Sequence, residues 1–380
     1  MRKIFILIQA ALFIITCSPK SDKVKRFMED GVEVIINHLE PYKIEGEPNE
    51  LILEEEFRID SSRSDLVKAE LSDLSMGDID SDGNIYFVNS IRKSEKIIYK
   101  FNKKGEFITC FCRKGQGPGE IQWVSYFGIE ANNNIIISDH NSKKILLFDR
   151  DGKLIQETHY NPIYDTIVPL ENGKYLAYQF FTDLSRKTFS RNIVLCNSIF
   201  EEIKKLDTCK VPDPFKLGRR GAPLNAVFLF VVSKGKIYVG NEDRGYEIFI
   251  YDLNGNLLKK IRKEYESVKI PEKLIKERRK RYEGTPGLKV FFPVYYPAFN
   301  CFIIDDEGRL YVRTWEKGEN AGEYIFDIFN PDGIFIMRKS MKTSGFPVFI
   351  EARVNNNRLY CLREKESGYK ELVVYKMIWK

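Results

Sequence analysis

The chain has 380 residues, 43% of them hydrophobic and 13% aromatic, including 27 Phe and 20 Tyr. That excludes wholesale disorder and a disulfide-stapled mini-scaffold, and leaves either two average domains or one large repeat-built domain. With 60 basic against 54 acidic residues the net charge is +6, too mild to argue for a nucleic-acid partner.

Arg2-Lys3 precede an apolar run from Ile4 to Ile15, broken only by Gln9, and Cys17 follows at once. A basic start and an apolar stretch of roughly 7–15 residues read as a signal peptide over residues 1–16, too short to span a bilayer. Ile14-Ile15-Thr16-Cys17 resembles a bacterial lipobox, with Thr16 where Gly, Ala or Ser is usual. Cys17 is therefore the expected lipidation site, and residues 17–49 a tether, polar at Ser18-Pro19-Lys20-Ser21 and dispensable for folding. The protein is expected to be anchored to a membrane rather than to span it, as an outer-membrane lipoprotein of the cell envelope on its periplasmic or surface face.

Residues 50–380 carry an internal repeat. A turn with Gly or Asn leads into an apolar strand six times, with Ile85, Ile135, Tyr175, Ile237, Leu310 and Leu359 as landmarks 40 to 73 residues apart. Such spacings fit propeller blades with insertions and are too irregular for a solenoid. Four copies continue into an antiparallel hairpin around an Asx/Gly turn: Asn102–Gly105, Asp149–Gly152, Asp252–Gly255 and Asn330–Gly333. With an incoming strand, each repeat supplies four strands. The last copy runs out after three, and Leu51–Ile59, which alternates apolar and polar, is the orphan strand expected to complete it. The sequence therefore predicts an all-β fold: a single six-bladed β-propeller of four-stranded antiparallel blades. An N-terminal strand closes its last blade, and one helical insertion lies near 271–282, rich in Lys and Arg after Pro271.

Ile137-Ser138-Asp139-His140-Asn141-Ser142-Lys143-Lys144-Ile145 resembles an NHL-type repeat, with Lys144 where Arg is usual and Asn141 one place early. Arg113-Lys114-Gly115-Gln116-Gly117-Pro118-Gly119-Glu120 is similar to the Gly-Pro-Gly-Glu loop of the six-bladed β-propeller lipoproteins of Bacteroidetes. Tyr296-Pro297-Ala298-Phe299 and Asp305–Arg313 resemble that family too. The resemblance implies the fold and an envelope address, and little chemistry.

No Gly-x-Ser-x-Gly elbow or P-loop is present, so no catalytic residue is assigned. Of the seven cysteines none forms a Cys-x-x-Cys pair, which argues against a metal site; Cys112, Cys301 and Cys361 read as buried thiols, and the even count of six beyond Cys17 identifies no disulfide pairs. Asp78, Asp80 and Asp82 before Gly83 imitate an EF-hand front, but Asn89 stands where the bidentate Glu belongs.

The expected function is a lipid-anchored binding or interaction module whose ligand, a protein, small molecule or glycan, meets the loop-rich face of the propeller. No cofactor and no nucleic acid are expected, and the chain is expected to be monomeric. Candidate contacts are Arg113, Gln116, Glu120, His140, Asn141, Arg219, Arg220, Asp243, Arg244, Tyr295, Tyr296, Arg313 and Trp315. The alternative is a calcium-dependent lactonase- or esterase-like hydrolase, with the metal in the central channel near Glu120, Asn141 and Asp243.

Overall fold

A computed structural model describes residues 24–71, 74–89, 95–130, 132–161, 163–183, 188–211, 220–221, 227–280, 290–342, 352–365 and 370–380. Six four-stranded antiparallel units follow one another. Blade 1 holds Ser75–Ile79, Ile85–Val88, Lys96–Phe101 and Phe107–Lys114, and blade 2 runs from Val124–Ile129 to Leu154–His159. Blade 3 spans Tyr164–Pro169 to Glu202–Val211, blade 4 Phe228–Ser233 to Leu257–Lys263, and blade 5 Cys301–Ile304 to Phe335–Lys342. Blade 6 takes Ala352–Asn355, Arg358–Glu364 and Lys370–Trp379 from the C-terminus and Leu51–Asp60 from near the N-terminus. The expected closure is present: Leu372 faces Ile59 and Trp379 faces Leu51 in antiparallel register. Each sequence landmark opens or lies next to the opening of the second strand of its blade.

Second strands are covered on both faces, so they read as unbroken apolar runs. Every residue of Ile85–Val88 and Ile135–Asp139 is buried. Fourth strands face water and carry polar residues, as Leu154–His159 does. The fourth strand of one blade also leans on the hairpin of the next. Phe57 lies 2.9 Å from where a Cβ on Gly105 would stand, and Phe111 lies 2.4 Å from one on Gly152. Leu206 against Gly255 and Ile261 against Gly333 repeat the contact. These glycines serve twice, giving room to a neighbour and adopting φ near +80°. In blade 3 the hairpin Asn197–Phe200 does without glycine. Phe200 itself adopts φ +64° and packs its ring 4.6 Å from that of Tyr175.

The expected tether is corrected by the structure. Lys25–Glu29 and Val32–Asn37 form a hairpin around Asp30-Gly31, both at positive φ. Its second strand pairs in parallel with Leu257–Lys263, which makes blade 4 six-stranded. Val34 and Ile35 are fully buried there, so β-branched residues in Val32–Ile36 override the reading of a solvated linker. Cys17 lies outside the described residues. The helical insertion is confirmed as Glu272–Lys280, on the connection between blades 4 and 5. No disulfide joins the described cysteines; burial pushes the Cys112 thiol up to about 12. Among the described residues no helix is long and apolar enough to cross a membrane.

Candidate ligand-binding site

Strand direction places the inter-blade connections and the loops between second and third strands on one face, and the tight hairpins on the other. The described candidates from the sequence are divided among three seams between blades.

At the seam of blades 1 and 2, Arg113 lies at the end of the fourth strand of blade 1, and exposed Gln116 lies on the loop that follows and folds back on it. Glu120 lies beside Arg113 in parallel register, and its carboxylate accepts from the Gly117 amide at 2.9 Å. Lys144 is buried and donates to the Gly117 carbonyl at 3.1 Å and to Glu157 at 3.2 Å. Glu157 also accepts from the Gly119 amide at 2.8 Å. His140 donates its backbone amide to the Trp123 carbonyl, and its Nδ1 meets the Asp165 carbonyl at 2.8 Å. The carboxylate of Asp139 gathers the amides of Gln122, Trp123 and Asn141. The NHL-like Asp139 and Lys144 thus hold loops in place.

At the seam of blades 3 and 4, Arg244 grips both oxygens of Asp207 at 2.7 Å and lies 3.9 Å above the Phe249 ring, while Asp243 accepts from the Lys210 amide. Through one nitrogen of Arg244, Nη1, the two blades are tied together. Arg219 lies outside the described residues, and only the backbone of Arg220 is described, in a short parallel pairing with Val290. Glu120, Asn141 and Asp243 are therefore each held on separate loops and form no common cage. Asp80 likewise serves its own turn, accepting from the Asp82 and Asn84 amides and from the Tyr86 hydroxyl. Asp305 does the same with Glu307, Arg309 and Tyr311. Among the described residues no group of three His, Cys, Asp or Glu is arranged to hold a metal.

The third seam is open. Between blades 4 and 5 lies a cleft of about 130 Å³, walled by Tyr246, Tyr265, Val268, Pro297, Ala298 and Trp315 and by Leu39 and Glu40 behind the N-terminal hairpin. Trp315 and Tyr296 stack at 4.2 Å with planes 5° apart, and the Trp315 indole N–H donates to the Phe299 carbonyl at 3.0 Å. Two residues earlier, buried Arg313 sets its guanidinium 3.7 Å over the Tyr324 ring, away from solvent. Tyr295, by contrast, is half exposed on the outer rim.

The floor is charged. Asp327, 1% exposed, accepts from the Tyr246 hydroxyl at 2.8 Å and from Arg338 Nε at 3.1 Å, with Lys263 Nζ at 3.5 Å. Arg338 reaches on to Glu316. Burial holds the Lys263 ammonium below its ordinary value against the pull of Asp327. Burial and the Asp327 charge push the Tyr246 hydroxyl well above its usual range, so it remains a donor. Lys263, Asp327, Arg338 and Glu316 are thus joined in one ion network beneath the cleft. Sequence reasoning named Trp315 and Tyr296 but missed the floor. A signal was present: in the aligned third strands Asp327 occupies the place that Tyr99, Leu146, Val194 and Phe249 fill in other blades.

Residues 75–227 match the model of the DUF5128 family, described as a 6-bladed beta-propeller. No protein of curated function matches the chain in sequence. The chain is similar to a Bacteroides fragilis NCTC 9343 protein described as exported, at 12% identity and a TM-score of 0.52, over 91% of this chain and 99% of that one. It is also similar to a member of the duf4221 family from Bacteroides vulgatus ATCC 8482, at 13% identity and a TM-score of 0.54, over 88% and 99%. These likenesses agree on the six-bladed propeller.

Proposed function

We propose that the chain is a binding module of the cell envelope, held by a lipid at Cys17, that takes a small amine-bearing ligand in the cleft between blades 4 and 5. The observation that carries this reading is the composition of the cleft. Glu40, Glu266, Glu316 and Asp327 face Lys263 and Arg338, a formal excess of two negative charges beneath aromatic walls. Carboxylates with aromatic faces attract an ammonium through Coulomb and cation–π terms together. A cleft of this size admits one amino-sugar ring or a short amine. The leader ending at Cys17, and the similar Bacteroides fragilis protein described as exported, support the envelope address.

Calorimetry with glucosamine, N-acetylglucosamine, putrescine and acetate tests the ligand class. The amines should bind, the acetylated sugar should not, and Glu316→Gln should weaken the amines by about tenfold, as expected for a charged hydrogen bond lost. Equal binding of acetate or of N-acetylglucosamine would falsify the reading. For the anchor, Cys17→Ala should move the protein out of the detergent phase of a membrane extract.

A further inference from the structure

The connection between blades 4 and 5 carries a second feature, on its outer side. Glu272–Lys280 turns Leu274 and Ile275 inward against Ile270, Phe292 and Tyr296. Lys273, Lys276 and Lys280 are exposed on the other side, while Arg279 sets its guanidinium 5.8 Å from the Phe292 ring; Glu272 and Glu277 are the only acidic residues of the helix. The segment that supports it, bonded through Ile270 to Val294 and bridged through Lys269 to Tyr295, leaves Val294 53% and Tyr295 52% exposed. A cationic helix beside a protruding aliphatic and a Tyr is the composition of an interfacial membrane contact.

The register of the N-terminal hairpin adds an independent observation. Lys25 lies opposite Ile36, and Ile36 lies beside Arg262, one residue before the end of the last strand of blade 4. The chain before Lys25 thus leaves the body at the same end of the sheet from which the basic connection rises, two strands or about 10 Å away. Seven peptide units separate Cys17 from Val24, a reach of at most about 25 Å. A lipid on Cys17 would set this end of the propeller against the bilayer.

We infer that the helix Glu272–Lys280, with Val294 and Tyr295 beside it, is a membrane-docking surface for a phospholipid bilayer bearing anionic headgroups, through Lys273, Lys276 and Lys280 with Val294 and Tyr295 at the interface. Its orienting role rests on the Cys17 anchor of the proposed function; the surface itself is measured without acyl chain or cleft ligand. The full chain carrying Cys17→Ala is sedimented with vesicles of phosphatidylcholine, with and without phosphatidylglycerol. It should bind only the anionic vesicles and be released by salt. Lys276→Glu/Lys280→Glu should weaken binding at least about tenfold, and Tyr295→Ser several-fold, with melting curves unchanged. Lys103→Glu/Lys104→Glu, on the tight-hairpin face, should leave binding as it was. Undiminished binding of the helix variant, an equal loss in the Lys103/Lys104 variant, or no binding to anionic vesicles overturns the inference. If the surface binds vesicles while Cys17→Ala leaves partitioning in cells unchanged, the anchor fails and the surface stands.

Discussion

Two seams of the propeller use the same chemistry to opposite ends. At blades 1 and 2 a buried lysine, Lys144, meets Glu157 beneath the Gly115–Gly119 loop, and backbone groups of that loop occupy what the side chains leave. At blades 4 and 5 a buried lysine, Lys263, meets Asp327, yet the connection swings outward and the pair forms the floor of a cleft. Each blade also carries an added parallel strand at its outer edge. Glu120–Ile121 in blade 1 comes from the loop that fills the seam; Val32–Asn37 in blade 4 comes from the far N-terminus. The difference is one of supply. A seam closed by its own loop is structural, whereas a seam closed on one side by a distant segment keeps its polar groups available.

The largest expected effect is the loss of that distant segment. Asn37 is buried, donates to the Gly333 and Arg262 carbonyls, and accepts from the Phe335 amide, so it sews blade 4 to blade 5. Val34 and Ile35 lose their cover with it. Two such side chains contribute about 1.5–3 kcal/mol each and each hydrogen bond about 1 kcal/mol. Deleting residues 24–38 should therefore cost about 5 kcal/mol or more in urea unfolding and abolish amine binding. A deletion that unfolds like the intact chain would mean that the hairpin is an ornament.

Next comes the floor itself. Asp327→Ala leaves the buried Lys263 unpaired beside a void, with Arg338 free to turn to solvent, and should cost about 3–5 kcal/mol. Asp327→Leu/Lys263→Met replaces the pair by apolar atoms and should recover most of that stability without recovering binding. If the double variant binds amines as before, the network is scaffold and the comparison between the seams collapses.

The ring was legible because its signals are local and repeated. Asx/Gly turns at Gly105, Gly152, Gly255 and Gly333 recur with the strands they join, and an orphan strand at Leu51–Ile59 had one place to go. The N-terminal hairpin was not legible. Its pairing is parallel and lies 225 residues away from its partner, measured from Asn37 to Arg262, so no turn announces it, and its Asp30-Gly31 turn stood in a stretch read as linker. The cleft was half legible. Trp315 and Tyr296 stood out as aromatics near a loop, but the same list held Arg244 and Arg313, whose partners Asp207 and Tyr324 come from other strands. Residue type at a loop end does not say whether a charge is already paired; Asp327, out of place in an apolar strand, does.

The closed seam should respond less than the open one. Lys144→Met removes two hydrogen bonds, but Glu157 is about a fifth exposed and can turn to water. The cost should be about 1–2 kcal/mol, with amine affinity unchanged. A loss of affinity in this variant would show that the two seams communicate.

The smallest effect belongs to the strand that closes the ring, where an ion pair sits in solvent rather than in a seam. The Lys365 ammonium, 2.6 Å from Asp60 and aided by the Ser62 amide, holds that carboxyl at about 2, below its ordinary value of 3.8. A depressed carboxyl binds its proton more readily in the unfolded chain. Its stabilisation is therefore complete above about pH 4 and disappears as pH falls through about 2. Both side chains are about a quarter to a third exposed, so screening keeps the contribution below about 1 kcal/mol. Lys365→Met should lower stability by that small amount at pH 7 and by less at pH 2, narrowing the gap between the two urea midpoints. An unchanged gap would assign the acid sensitivity of ring closure to the Ser62 contacts instead, and leave Lys365 without a share in it.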